Sequence, residues 1–193
     1  AMNRLASYGL TAVHDAGVSS QTIAAYKQLA EEGPLPIRVN VMLAASDPLF
    51  LDRLEEGYFR SDDDTLTINS VKIVGDGALG SRGAALIEDY SDDSGNRGLL
   101  RYNDERLEYL MRVAMNGGFQ VNTHAIGDNA NMKVLDNYER LISETDSRNL
   151  RHRIEHAQIL RYEDILRFAQ LGVIPSMQAT HATSDKNMAQ DRI

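Results

Sequence analysis

Lys72, His124 and His156 each fall at or near the carboxyl end of an apolar run that reads as a β-strand, in INSVKIVGDG, GFQVNTHAIGD and RHRIEHAQ. Side chains of these types on consecutive strand ends of one β/α repeat form the kind of set that holds a hydrolytic metal at a barrel mouth. A protonated lysine cannot bind a cation. A neutral one reacts with carbon dioxide to give a carbamate, an anionic oxygen ligand able to bridge two metals. Lys72 lies inside VKIV, where burial lowers a lysine's pKa; the competing reading is an edge-strand lysine whose stem packs and whose head reaches water. Taken singly, His124 and His156 also read as core or capping histidines. One per strand at matching depth, the three are harder to explain as packing. The set looks incomplete, because no H-x-H pair and no late strand-end Asp accompany it.

The elements that must position these residues repeat about every thirty positions. Thr11 to His14 reads as a strand, followed by a helix capped by Ser19 or Ser20 and running to Glu31, where Gly33 and Pro34 end it. Ile37 to Leu43 is a second strand, with a weaker helix from about Asp47 to Glu56, and Ile68 to Val74 a third. Asn103 caps a helix with Leu107, Leu110, Met111 and Ala114 at helical spacing, stopped by Gly117 and Gly118. Phe119 to His124 alternates, with Gln120, Asn122 and His124 on one side. A helix from Asn129 to Glu144, with Asp128 placed to cap it, precedes the strand His152 to His156, a helix from Tyr162 to Gln170 and a last strand, Val173 to Gln178. Six strands alternating with helices imply a mostly parallel sheet. A doubly wound sheet would show its ligand signature at the first βα turn, and HDAGVSS carries none. Polar residues gather instead at several strand ends, as in barrels. A whole barrel needs about 250 residues, so the expectation is a (β/α)8 TIM-barrel type truncated to about six units, filling residues 1–193 as one domain.

Composition excludes several classes. The chain has 193 residues, 42% of them hydrophobic, and no cysteine, so a metal must rest on His, carboxylate or modified Lys. A formal charge of −8 and a pI near 5.1 leave no basic footprint for nucleic acid. No run approaches the roughly eighteen apolar residues that span a bilayer, and no leader-like start is present. The expectation is a soluble, cytoplasmic chain with no membrane partner.

Gly75, Gly77 and Gly80 match G-x-G-x-x-G after a strand, a dinucleotide fingerprint on paper. The residues that follow, SRGAALIEDYSDDSGNRG, are too rich in turn formers for the long helix such a site requires. A tightly turned loop is the better reading. In its functional version the loop folds over the active site, with Asp76 and Arg82 available to substrate. His181, after the last strand, is at the correct end to join them, whereas His14 and His152 read as structural.

GLTAVHDAG, VKIVGDGALGSRGAAL, FQVNTHAIGDNA, RHRIEHAQIL and GVIPSMQATHATSD together resemble the amidohydrolase superfamily, in particular the branch of N-substituted formamide deformylase. That resemblance implies a (β/α)8 barrel with one or two divalent metals, commonly zinc, hydrolysing amide or related C–N bonds of small molecules. It makes Lys72 the carboxylated lysine after strand four, and His124 and His156 the ligands after strands five and six. It also implies that strand one with its H-x-H pair, strand eight with its proton-shuttling Asp, and the terminal β-sandwich are missing, so the isolated chain is expected to turn over poorly. Two alternatives stand beside it. One is a non-catalytic fragment that self-associates into a homo-oligomer through open sheet edges. The other is a metal-free barrel binding a small anion or sugar.

Overall fold

The computed structural model describes residues 1–193. Contacts divide the backbone into two compact units, Ala1–Ile73 with Val113–Val121, and Val74–Arg112 with Asn122–Ile193.

The first unit begins with α1 (Met2–Ser7), β1 (Ala12–Val18) and α2 (Ser20–Glu31). Ser19 caps α2, its side chain accepting from the Thr22 N–H, and the Asp47 carboxylate accepts from the backbone N–H and the hydroxyl of Ser20 at 2.8 and 2.7 Å. Two acceptors thus meet the donors that a helix N-terminus leaves unpaired. There follow β2 (Arg38–Ala44), α3 (Phe50–Glu55), β3 (Phe59–Arg60) and β4 (Leu66–Val74). β1, β2 and β4 pair in parallel in that order, with β3 antiparallel on β4. Val39, Val41, Met42 and Leu43 of β2 are all buried, a largely apolar strand of the kind that is covered on both faces in parallel sheets.

The second unit contains most of α4 (Asp104–Asn116) and β5 (Gln120–Ala125), followed by α5 (Asp128–Glu144), β6 (Arg153–His156), α6 (Tyr162–Leu171), β7 (Ile174–Ser176), α7 (His181–Ser184) and α8 (Lys186–Arg192). Asn103 caps α4 as its sequence suggests, accepting from the Arg106 N–H at 2.9 Å. β5, β6 and β7 are parallel. Within each unit, strands that follow one another in sequence as β/α repeats also lie side by side, without the reversal of order that marks a doubly wound sheet. No helix is long and apolar enough to cross a membrane.

Side-chain alternation sorts β5 and β6 into two faces. The Thr123 hydroxyl lies 3.2 Å from the Tyr138 hydroxyl of α5, and Tyr138 also donates to the Arg153 carbonyl at 2.8 Å. Thr123 and its register partner Ile154 therefore face the helix layer, leaving Asn122, His124, Arg153 and Glu155 on the other side. His152 shares the helix side. It stacks on Tyr138 with ring centroids 5.5 Å apart and its Nε2 lies 3.0 Å from Ser147 Oγ. The ring thus packs against α5, in keeping with the structural role read from the sequence.

Burial lowers the His152 pKa from 6.5 to about 4, because the cation would lose its water. The folded state therefore binds fewer protons than the unfolded state between those values, and stability falls as pH drops through that window. Denaturant unfolding of the wild type should lose about 3 kcal/mol more between pH 7 and pH 4 than unfolding of His152→Gln does. Equal losses in the two proteins would show that His152 contributes no such linkage.

Candidate metal centre

β5 and β6 run parallel with Ala125 opposite His156, so their carboxyl ends finish level. Strict alternation would send the His156 side chain the way of Ala125, away from His124. Instead His156 has φ +78° and Ala157 φ +45°, a left-handed conformation that costs non-glycine residues of order 1 kcal/mol or more each. The His124 and His156 rings lie 4.6 Å apart at 75°. The chain leaving His156 is held in this course by the Ala157 N–H on the Ala125 carbonyl and the Ile159 N–H on the Ile126 carbonyl.

His124 is oriented from the loop that follows β4. Its Nε2 is 3.3 Å from Asp76 Oδ1 and 3.5 Å from the Gly77 carbonyl. Both neighbours are acceptors, so Nε2 carries the ring proton and Nδ1 keeps the lone pair. Asp76 is 1% exposed. Its oxygens accept backbone N–H groups from Ala85 at 3.0 Å, Ile126 at 3.0 Å and Gly127 at 2.8 Å. Ala85 in turn presents its carbonyl to the N–H groups of Asn129 and Ala130 in the first turn of α5. A Cβ on Gly127 would stand 1.9 Å from that carbonyl, so only glycine fits there.

The loop is a packed body. Leu79, Ala84, Leu86, Tyr90 and Ile126 form a buried cluster against which Met188 and Ala189 pack, and the Tyr90 hydroxyl donates to the Ala84 carbonyl. Two glycines of the apparent dinucleotide fingerprint have a backbone explanation, since a Cβ on Gly75 would meet the His124 carbonyl at 2.7 Å and one on Gly77 the Gly83 carbonyl at 2.8 Å, and the next helix begins only at Asp104.

Of the residues the sequence offers to a substrate, Asp76 is enclosed and its oxygens are occupied as described. Arg82 donates from Nε and Nη2 to Asp92 at 3.0 and 2.9 Å, an ion pair that Arg192 joins and that holds the Asp92 carboxyl below the usual range. His181 lines a cleft of about 570 Å³ together with His156, Gln178, Met177, Ile159 and Ala189, and its ring is 6.0 Å from that of His156. Gln178, which sequence reasoning passed over as the end of a strand, accepts at Oε1 from His156 Nδ1 at 2.6 Å. Lys72 belongs to the first unit, half-buried near the end of β4, where its carbonyl accepts the Ala45 N–H at 2.9 Å.

No group of three or more His, Cys, Asp or Glu side chains converges as a ready metal cage. The histidine pair nonetheless fits one ion. Two imidazole nitrogens, each about 2.0–2.1 Å from a tetrahedral ion, put their ring centroids roughly 5 Å apart, close to the 4.6 Å found.

Parallel β/α units whose strands lie side by side in sequence order, with paired histidines at level strand ends, place the chain in the TIM-barrel fold class. The chain belongs to the amidohydrolase family, whose model matches residues 1–193. It is 37% identical over 141 residues to Protein LONG AFTER FAR-RED 3 of Arabidopsis thaliana, covering 73% of this chain and 24% of that one. It is 34% identical over 194 residues to YtcJ of Bacillus subtilis (strain 168), an amidohydrolase by designation only, covering 96% of this chain and 35% of that one. Its structure matches, at TM-score 0.85 and 32% identity, an uncharacterized metal-dependent hydrolase from Pyrococcus horikoshii, covering 100% of this chain and 38% of that one. The chain thus spans well under half the length of these relatives. The matching family is named for amidohydrolases, and the structural neighbour is designated a metal-dependent hydrolase.

Replacing Asp76 by Ala strands three backbone donors in a dry site, each costing about 1–3 kcal/mol. Asp76→Ala should lower unfolding stability by about 3–5 kcal/mol, and Asp76→Asn, which keeps one acceptor oxygen, by less. Urea titration of the three proteins checks the order; a loss below about 1 kcal/mol in the alanine variant would show that the carboxylate is not the anchor of this turn.

Proposed function

We propose that this site hydrolyses the C–N bond of a small amide-type molecule, an N-formyl or N-acyl amine, with zinc held by His124 and His156. The observation that carries the reading is the pair of imidazoles 4.6 Å apart at the ends of adjacent strands, brought there by a backbone conformation that would otherwise be avoided. Family resemblance adds Lys72 as a carboxylated ligand and allows one or two ions.

When bound, a divalent ion supplies Lewis acidity toward the carbonyl and lowers the pKa of water to about 7. The remaining work belongs to the chain. Asp76 and the Gly77 carbonyl face His124 Nε2 as acceptors and keep the ring proton there, so Nδ1 is the nitrogen that would hold the ion. Met177, Ile159 and Ala189 give the cleft an apolar wall for the amine or acyl substituent, and His181 on the same cleft bonds the amide. Asp76 and Arg82 act by shaping the loop around the site.

Zinc-loaded protein should hydrolyse N-formyl and N-acyl amines, the 193-residue chain by itself only slowly. His124→Ala and His156→Ala should each lower kcat/KM by more than about a hundredfold, since loss of a ligand's outer hydrogen-bond partner alone costs 10–100-fold in such sites. Turnover of esters or phosphoesters without N-acyl amines would refute the bond assignment; undiminished turnover in both alanine variants would refute the site.

A further inference from the structure

We infer that Gln178 is the positioning residue of His156, fixing which ring nitrogen carries the proton and so which one can bind a cation. The inference deepens the metal reading above and rests on that reading for its consequence, though its geometry stands separately. His156 Nδ1 lies 2.6 Å from Gln178 Oε1. The other end of the same amide, Nε2, donates to the Ser176 carbonyl at 3.4 Å. A carbonyl only accepts, so the NH2 group belongs on Ser176 and the oxygen belongs on the ring. An amide oxygen facing Nδ1 requires a proton there, and the neutral imidazole then keeps its lone pair on Nε2.

The two histidines are therefore set in opposite tautomers by two different acceptors. Asp76 and the Gly77 carbonyl hold a proton on His124 Nε2, while Gln178 holds one on His156 Nδ1. The nitrogens that carry no proton are then His124 Nδ1 and His156 Nε2. With the rings close and steeply inclined, an ion held by both would take unlike nitrogens from the two rings. Gln178 follows the last strand, two residues beyond Ser176, so its amide is braced against the strand end that it also bonds. The left-handed backbone at His156 places the ring within reach of that amide, and Gln178 supplies the acceptor that keeps the ring from rotating about its Cβ–Cγ bond.

Three forms of the protein test this: wild type, Gln178→Met, which keeps the length and loses the acceptor, and Gln178→Glu, which keeps an acceptor. Long-range ¹H–¹⁵N spectra of the metal-free proteins report which nitrogen of His156 is protonated. Competition with a chromophoric chelator reports zinc affinity. Wild type and Gln178→Glu should show the Nδ1–H tautomer. Gln178→Met should show a mixture and bind zinc about 10–100-fold more weakly, with the glutamate variant within a few-fold of wild type. An Nε2–H tautomer in the wild type, or an unchanged tautomer in Gln178→Met, overturns the inference. A wild type that binds no zinc while its tautomer still depends on Gln178 supports the positioning role and removes the metal reading instead.

Discussion

The arrangement of the second unit depends on one buried carboxylate. Asp76 has almost no contact with solvent, and a charge in that position is tolerable only when donors replace the lost water. Three backbone N–H groups do so, from Ala85 on the loop and from Ile126 and Gly127 at the turn between β5 and α5. Two of those donors immediately precede Asp128, the first residue of α5, where an aligned 17-residue helix presents the positive end of its dipole. Asp76 therefore pins the turn that leads into α5, while the first-turn N–H groups of Asn129 and Ala130 go to the Ala85 carbonyl. Hydrogen bonds to charged groups contribute about 1.5–3 kcal/mol each, enough for one side chain to join a loop, a strand end and a helix start.

That anchoring determines the chemistry available at His124. The strand ends where Ile126 and Gly127 turn to meet the carboxylate, so the ring one residue before Ala125 is placed at a fixed height beside Asp76 and the Gly77 carbonyl. The loop carrying Asp76 could not serve if it were loose, and its own cluster of Leu79, Ala84, Leu86 and Tyr90 gives it the stiffness that the contact demands. On β6 the same end is reached by a different device. There a left-handed turn does what a loop carboxylate does on β5, and the strain it stores is held by the hydrogen bonds of Ala157 and Ile159 to the β5–α5 turn.

The β/α repeat was legible because apolar runs of five to nine residues, interrupted by caps such as Ser19 and Asn103, obey local rules. The strand-end histidines followed, since a parallel repeat brings each strand's carboxyl end to the same side. The two-residue β3 was not legible, because its pairing with β4 comes from tertiary contact in a polar stretch. Nor were the roles of Asp76 and Gln178. The partners of Asp76 lie 9, 50 and 51 positions away, and nothing local distinguishes a carboxylate that will be enclosed from one that will face a ligand. The left-handed turn at His156 was equally silent, because no glycine announces it.

The face of β5 and β6 that carries His124 also carries Arg153 and Glu155, and their charges bear on what this site attracts. Arg153 Nε lies 2.8 Å from Glu155 Oε1, and Arg153 Nη2 donates to Ser176 Oγ at 2.8 Å. The pair is largely withdrawn from solvent and formally neutral, so it contributes little net field while stiffening the layer below the histidines. Asp76 brings a negative charge to within 3.3 Å of the His124 ring, while Lys186 lines the cleft shared by His156 and His181. A carboxylate withdrawn from water acts on a nearby cation more strongly than a screened surface carboxylate would. A cation drawn to the lone pairs of His124 and His156 finds the acceptor Asp76 behind one of them, and each proton that Asp76 and Gln178 hold makes the opposite nitrogen a better donor to the ion. On the proposed metal reading, the contacts of Asp76, the Gly77 carbonyl and Gln178 that orient the rings would also favour an ion there.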